Sequence, residues 1–430
     1  MLDRFRFRFF QRTKDKRKRQ LKINLVSITY PPEIGGAAHL IHDLAVSFHQ
    51  MGHEVTVITC YPSYNLKEIP YQFRRGFLRK YEEENIKIKR IRIPKFPRNN
   101  KLARGIEHFV YGIYLSAITM FSSKADVNVV FSPPLPLPWM IEIVGKLRKI
   151  PTIVNIQDLF PLEAVELGML TNRFLIKIFE KMEGWVYRNA TSVTVHSPGN
   201  QRYVISRGGH ESRVHLLYNW VDTDFIRPQP KQNDFSQNYH LGDKFIVSYA
   251  GTMGWAQDME TIINCANELR EQKNIQFVLV GDGVEKEKAY STSQKLGLTN
   301  IFWLPMQPLT VYPEILACSD ISMINLNPDL HTPVVPSKLL SIMAAGRAVV
   351  ASLPEESDAR QIIHDAQCGV CVNAGDGIAL ANVIHKLASD LQLVERLGKS
   401  GREYIESHFS RRVCTKNFEK IMLTTIGGNL

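Results

Sequence analysis

The sequence lacks a lysine-bearing phosphate loop of the Walker type and a G-x-S-x-G elbow, which removes the two commonest motif-borne routes to nucleotide hydrolysis and acyl transfer. It has no G-x-G-x-x-G turn, so dinucleotide binding finds little support. No uncharged run reaches the ~20 residues a membrane-spanning helix needs. The longest apolar candidate, Phe109 to Phe121, is too short. Cysteine is scarce. Of Cys60, Cys265, Cys318, Cys368, Cys371 and Cys414, only Cys368 and Cys371 are spaced as C-x-x-C, and no second pair or paired histidine completes a zinc site. Buried free thiols in a reducing cytosol are expected rather than disulfides. The first residues are charged, without an apolar core or a cleavage-like site, so no secretory signal is expected.

What is present is an ordinary globular balance, with 44% hydrophobic and 22% charged residues over 430 positions. Cores stop growing near ~250–300 residues, so more than one domain is expected. The net charge of +11 is uneven. Arg4, Arg6, Arg8, Arg12, Lys14, Lys16, Arg17, Lys18, Arg19 and Lys22 crowd the N-terminus, and Arg74, Arg75, Arg79, Lys80, Lys87, Lys89, Arg90 and Arg92 form a second basic stretch. Such runs are either solvated or face an anionic surface such as the inner leaflet of a membrane. No nucleic-acid recognition motif accompanies them.

Apolar strand-like runs alternate with helical periods almost throughout, the pattern of parallel α/β sheets. Lys22 to Ile28 reads as a buried strand, Tyr30-Pro-Pro-Glu-Ile-Gly-Gly36 as a loop, Ala37 to Met51 as a helix and Glu54 to Thr59 as the next strand. The same grammar restarts at Phe245. Between the halves, Gln229 to Asp243 is polar and rich in Pro, Gln and Asn, and reads as a linker. The expected organisation is a basic tail over 1–20, a first Rossmann-like domain over 21–228, a linker over 229–243, a second such domain over 244–405, and a C-terminal helix over 406–430 that returns to the first domain. Two such halves imply a cleft beyond the carboxyl ends of their strands.

Two segments suit an anionic ligand. Gly35-Gly36 opens a helix, where a phosphate or sugar can approach backbone amides. A proline-bearing loop enters a second helix near Ser337, where free amides, the Ser337 hydroxyl and the Lys338 ammonium could hold a diphosphate. The bland alternatives are a plain strand-to-helix turn and a capped helix with a solvated lysine. Asp222-Thr-Asp224 reads as a turn cap rather than a metal–diphosphate site. Gly105 to Phe121, preceded by Lys101 and Arg104, is either an interfacial helix or a helix of the first core.

Taken in order, Tyr30-Pro-Pro-Glu-x-Gly-Gly36, Asn155-Ile-Gln-Asp-Leu-Phe-Pro161, Tyr249-Ala-Gly-Thr-Met-Gly254, Val280-Gly-Asp-Gly283 and Pro336-Ser-Lys-Leu-Leu-Ser-Ile-Met-Ala-Ala-Gly346 resemble glycosyltransferase family 4, of the GT-B fold. The match covers roughly residues 21–405. The Pro-Ser-Lys element is most similar to the bacterial exopolysaccharide and O-antigen subgroup of colanic-acid-type fucosyl and fucosaminyl transferases. The resemblance implies two Rossmann-like domains facing a cleft and a retaining, metal-independent hexosyl transfer. The donor would be a UDP- or GDP-linked sugar, with no further cofactor. The acceptor would be a glycan or a polyprenyl-diphosphate-linked acceptor, at the inner face of the plasma membrane. It implies catalytic roles for Asp158 and Lys338. Gly35, Gly36, Gly251, Thr252, Gly254, Gly281, Asp282, Gly283, Leu304, Val335, Ser337, Lys338 and Ser341 would line the donor. The chain departs from the family where a glutamate pair is usual, having Pro333 and Ser341, and where His-Asp is common, having Gln157-Asp158. A nucleotide-sugar 2-epimerase and a non-catalytic binding protein on the same scaffold are the alternatives.

Overall fold

The computed structural model describes residues 19–33, 36–62, 70–73, 76–94, 96, 101–242 and 244–427. Gly35, Arg74, Arg75 and most of the basic N-terminal tail therefore lie outside the described residues.

Two sheets organise the chain. The first has the order β3-β4-β2-β1-β5-β6-β7-β8, built from β1 Lys22–Val26, β2 Glu54–Cys60, β3 Leu78–Glu83, β4 Ile86–Ile91, β5 Val127–Ser132, β6 Thr152–Ile156, β7 Ser192–Val195 and β8 Val214–Leu216. Every pairing is parallel except the β3–β4 hairpin. The second has the order β11-β10-β9-β12-β13-β14, from β9 Phe245–Ala250, β10 Ile275–Val280, β11 Ile301–Leu304, β12 Ile321–Asn325, β13 Ala348–Leu353 and β14 Gly369–Asn373. All its pairings are parallel. Two Rossmann-like domains of the GT-B fold result.

Helices cover both faces of each sheet, which is why β5, β6, β9 and β13 are buried at every position. In the first domain, helix Gly36–Gln50 packs with the C-terminal helix Arg411–Gly427 on one face, through Phe48 and Phe418 at 5.6 Å. Helices Lys101–Met120, Pro136–Arg148 and Arg173–Asn189 lie side by side on the other. The C-terminal helix thus crosses back to the first domain. Arg411 fixes the crossing by pairing with Asp43 at 3.3 Å and Asp222 at 2.9 Å.

Two local readings change. The polar stretch over 229–243 does not run free between the domains. Asn233 caps a short helix, Asp234–Asn238, and Phe235 and Leu241 are buried against β9 and β10. One aromatic and one leucine suffice to dock a segment whose composition reads as a loop. The second basic stretch, read as a charged run, holds a hairpin: β4 is one arm, and the other, Leu-Arg-Lys-Tyr-Glu-Glu, is an edge strand with mostly exposed side chains. Asp222 is a turn cap: its carboxylate accepts from the amides of Asp224 and Phe225, both at 3.0 Å.

Candidate functional site

The carboxyl ends of β9, β10 and β11 continue as hydrogen-bonded loops. The Gly251 amide donates to the Val280 carbonyl at 2.8 Å, Gly281 to Leu304 at 3.2 Å, and Met253 to Asp282 at 2.9 Å. This close stacking sets the glycines. A Cβ on Gly281 would overlap the Gly251 carbonyl oxygen, and one on Gly283 would overlap that of Met253. Gly283 also has φ +151°, and Gly251 φ +136°, where side-chain-bearing residues are strained. Gly254 is more open, its amide donating to Gln257 Oε1 at 3.1 Å. Thr252 and Asp282 are exposed at the loop tips, while Leu304 is buried beneath them. Lys286, unsuspected from the sequence, donates to the Gly281 carbonyl at 2.7 Å and ties the strand ends together.

Helix Ser337–Ala344 starts beside this crown. Pro336 is its N-cap, and no side chain caps its first amides. The first turn therefore presents unfilled donors. Ser337 is exposed and Val335 half-buried, whereas Leu339, Leu340, Ile342 and Met343 anchor the helix in the core. Lys338 does not extend into solvent. Its side chain crosses Gly251, where a Cβ would come within 2.5 Å of Cε. Its Nζ donates to Tyr249 Oη at 2.6 Å and to the Thr252 carbonyl at 3.2 Å. It also lies 4.3 Å from the Tyr249 ring centre. None of these partners is anionic, and burial pushes the ammonium down to about 7. Ser341 sits one turn on, hydrogen-bonded to the buried phenol of Tyr312, which burial raises to about 12.

The first domain contributes the opposite wall. Asp158 follows β6 and is exposed, yet the surrounding protein depletes its hydration and raises its carboxyl; the neighbouring His196 partly offsets this. His196 follows β7. Its Nε2 donates to the Gln157 carbonyl at 2.7 Å, and burial lowers its pKa, favouring the neutral ring. Glu163, raised to about 8 by burial and then by the charge of Asp158, accepts from the Leu159 amide at 3.1 Å. Gln157 and Asn219 exchange side-chain amide hydrogen bonds at 3.1 and 2.8 Å, holding the loop. His196 and Glu163 carry no motif: the pairing of β6 with β7 brings His196 to Asp158, while the short helix Leu162–Glu166 that follows turns Glu163 back toward it.

The two walls touch. The Glu166 carboxylate accepts from the Thr332 amide at 3.1 Å, Ser197 Oγ donates to the Pro333 carbonyl at 3.3 Å, and Asp358 accepts from the Gly199 amide at 2.6 Å. A Cβ on Gly199 would overlap Pro333. Position 333, where a glutamate is usual in the resembling family, is here a packing contact between domains. Gly36 opens its helix as expected.

Arg90 is a further residue that sequence reasoning placed only within a basic stretch. It is fully buried. Its guanidinium donates to the carbonyls of Cys60 at 2.9 Å and Tyr30 at 3.4 Å, and also to that of Pro31. It therefore fixes the segment that leads to the glycine pair. Replacing it with Met is expected to destabilise the fold by about 2–4 kcal/mol in urea unfolding, because buried carbonyls lose a charged donor. Lys restores little, since it lacks the fork.

Comparison with known proteins covers nearly the whole chain. Residues 35–220 match the family model "Glycosyl transferase 4-like domain", and residues 230–404 match "Glycosyl transferases group 1". A putative colanic acid biosynthesis glycosyl transferase of Escherichia coli K12, WcaI, is 24% identical, with 93% of this chain and 98% of that protein aligned. A probable glycosyltransferase of Pseudomonas aeruginosa, WbjE, is 21% identical over 75% of this chain and 82% of its own. Among solved structures, Anabaena HepE in complex with UDP and glucose superposes with a TM-score of 0.71 at 15% identity, covering 94% of this chain and all (100%) of that one. WaaG, a glycosyltransferase involved in lipopolysaccharide biosynthesis, gives 0.67 at 17% identity, over 93% and 99%.

Proposed function

Because the chain belongs to the glycosyltransferases, its halves to the 4-like and group 1 families, we propose that it moves a hexosyl group from a UDP- or GDP-linked sugar to a glycan acceptor, with retention at the anomeric carbon. The acceptor is read as lipid-carried, and the pathway as synthesis of a cell-surface polysaccharide; the colanic acid biosynthesis named for WcaI and the lipopolysaccharide biosynthesis named for WaaG support the pathway. The observation that carries the donor reading is Lys338. It is a cation without a carboxylate partner, laid across Gly251 beside uncapped helix amides. A diphosphate supplies the negative charge those groups lack.

In the step proposed, the bond from the anomeric carbon to the diphosphate oxygen breaks while the acceptor hydroxyl bonds to the same face of that carbon. The hydroxyl proton passes to the departing diphosphate. The protein orients both partners and stabilises the developing charge through Lys338 and the Ser337 turn. Asp158 faces the sugar or the acceptor, and neutral His196 holds its loop. No metal is needed on this reading. The test is transfer from a panel of radiolabelled UDP- and GDP-sugars in the presence of a chelator, with product configuration read by NMR. Transfer with retention from one donor is expected; an inverted product, or transfer abolished by the chelator, rejects the mechanism.

One observation favours a second reading. Asp158, Glu163, Glu166 and His196 put more acid–base groups in the cleft than the motifs suggested. That set suits a nucleotide-sugar 2-epimerase. Turnover of donor without any acceptor distinguishes it.

A further inference from the structure

Away from the gap between the domains, a groove of about 400 Å³ runs between the β3–β4 hairpin and helix Lys101–Met120. Phe77, Leu78 and Ile91 form one wall; Ile113, Ile118 and Phe121 form the other. Three of these side chains stand well out of the fold, with Phe77 60%, Ile113 53% and Phe121 89% exposed. The opposite face of the same helix is core, with Leu115 fully buried. Helix amphipathicity therefore explains only one of its two apolar faces.

Cations border the groove. Lys80 and Lys89 are among its lining residues. Neither has a carboxylate at ion-pair distance among the described residues; Lys89 donates instead to Ser122 Oγ at 2.8 Å. Lys87 and Arg148 stand close by, and burial followed by the charges of Lys80, Lys87 and Arg148 lowers the Lys89 ammonium. Lys87 is the one answered by an acid, Glu54, at 2.6 Å. The neighbouring helices of the layer also carry exposed apolar and basic side chains: Leu147 is 68% and Phe174 71% exposed, and Lys146, Lys177 and Lys181 are exposed. A single peptide laid along the β3 edge would reach only the hairpin. An extended surface that is apolar inside and anionic outside matches the whole layer.

We propose that this groove seats the protein on a bilayer containing anionic phospholipid, with acyl chains against Phe77, Ile113 and Phe121 and headgroup phosphates on Lys80 and Lys89. The docking deepens the lipid-carried-acceptor reading above and rests on it only for its purpose. Binding itself needs neither donor nor acceptor, so it can fail or hold independently of transfer.

The experiment is flotation of the full chain with vesicles of phosphatidylcholine alone or with about one quarter phosphatidylglycerol. The parent is expected to float with the anionic vesicles and to be released as salt rises. Two double variants, Ile113→Asp with Phe121→Asp and Lys80→Glu with Lys89→Glu, keep the basic segment before β1. Each is expected to weaken partition at least about tenfold. All four positions are solvent-facing or half-buried, so melting should change little; if either pair melts early, Phe121→Ser and Lys80→Gln replace it. Absence of parental flotation at low salt overturns the proposal. So does flotation of the folded variants equal to the parent's, which would place binding on the N-terminal basic segment or another face.

Discussion

Replacing Lys338 with alanine is expected to lower kcat/KM for the sugar donor by roughly 100- to 1,000-fold, the usual effect of removing one charged stabiliser of a leaving group. The pH profile should carry the more specific signature. In the free protein the ammonium is held down to about 7 by burial. The cation is the form a diphosphate needs, so kcat/KM, which reports the free protein, should fall as pH rises through about 7. A bound diphosphate favours the charged form, so kcat should hold to higher pH. Lys338→Arg keeps its charge across this range and should lose the limb near 7, while its bulk against Gly251 lowers the rate. A parental profile flat through this region would sink the assignment.

Stability should move the other way. With the folded value near 7 and an ordinary value of 10.5, the unfolded chain binds more protons between those limits, and stability rises with pH across that window. Lys338→Met removes the buried charge. At pH 7 it should be more stable than the parent by roughly 1–2 kcal/mol, and its stability should no longer climb toward pH 10. A variant that is inactive yet melts higher is what a site groomed for an absent anion predicts; a purely structural lysine predicts the reverse.

The parts of this site that could be read in the sequence are those a single segment determines. The uncapped start at Ser337 follows from Pro336 and the apolar period of Leu339, Leu340, Ile342 and Met343 behind it. The loops at Gly251 and Gly281 follow from buried strands that end in glycine. Illegible parts depend on neighbours distant in sequence. Arg90 sits in a run of basic residues, and only pairing of β4 with β2 carries it beneath Tyr30 and Pro31. The edge strand β3 has the charged composition of a loop because edges are kept unattractive to other strands. The 229–243 stretch has a loop's polarity, and Phe235 and Leu241 are too few to register as a pattern. Helix Lys101–Met120 packs one face into the first core through Leu115, as the core reading expects, and leaves Ile113 and, just past its end, Phe121 exposed on the other.

The glycines divide by what they make room for, and that division yields the largest stability effects. Gly281→Ala should destabilise the second domain by about 3 kcal/mol or more, because its Cβ would overlap the Gly251 carbonyl. The obstacle is backbone, held by the 2.8 Å bond from the Gly251 amide to Val280, and cannot swing aside as a side chain can. Gly283→Ala should cost at least as much, since overlap with the Met253 carbonyl adds to a φ of +151°. Gly297→Ala is the control: its φ is +65° and nothing lies within 4 Å, so only the backbone preference is lost, about 1 kcal/mol. Gly251→Ala is different again. Its Cβ meets Lys338 Cε at 2.5 Å, the far part of a flexible side chain, so part of the strain is relieved by displacing the lysine. Donor use should then fall nearly as far as in Lys338→Ala, with a smaller loss of stability than Gly281→Ala. Chemical denaturation of the four alanine variants beside donor kinetics separates these outcomes. If Gly281→Ala proved as mild as Gly297→Ala, the loop crown would not be the rigid platform on which Lys338 is laid.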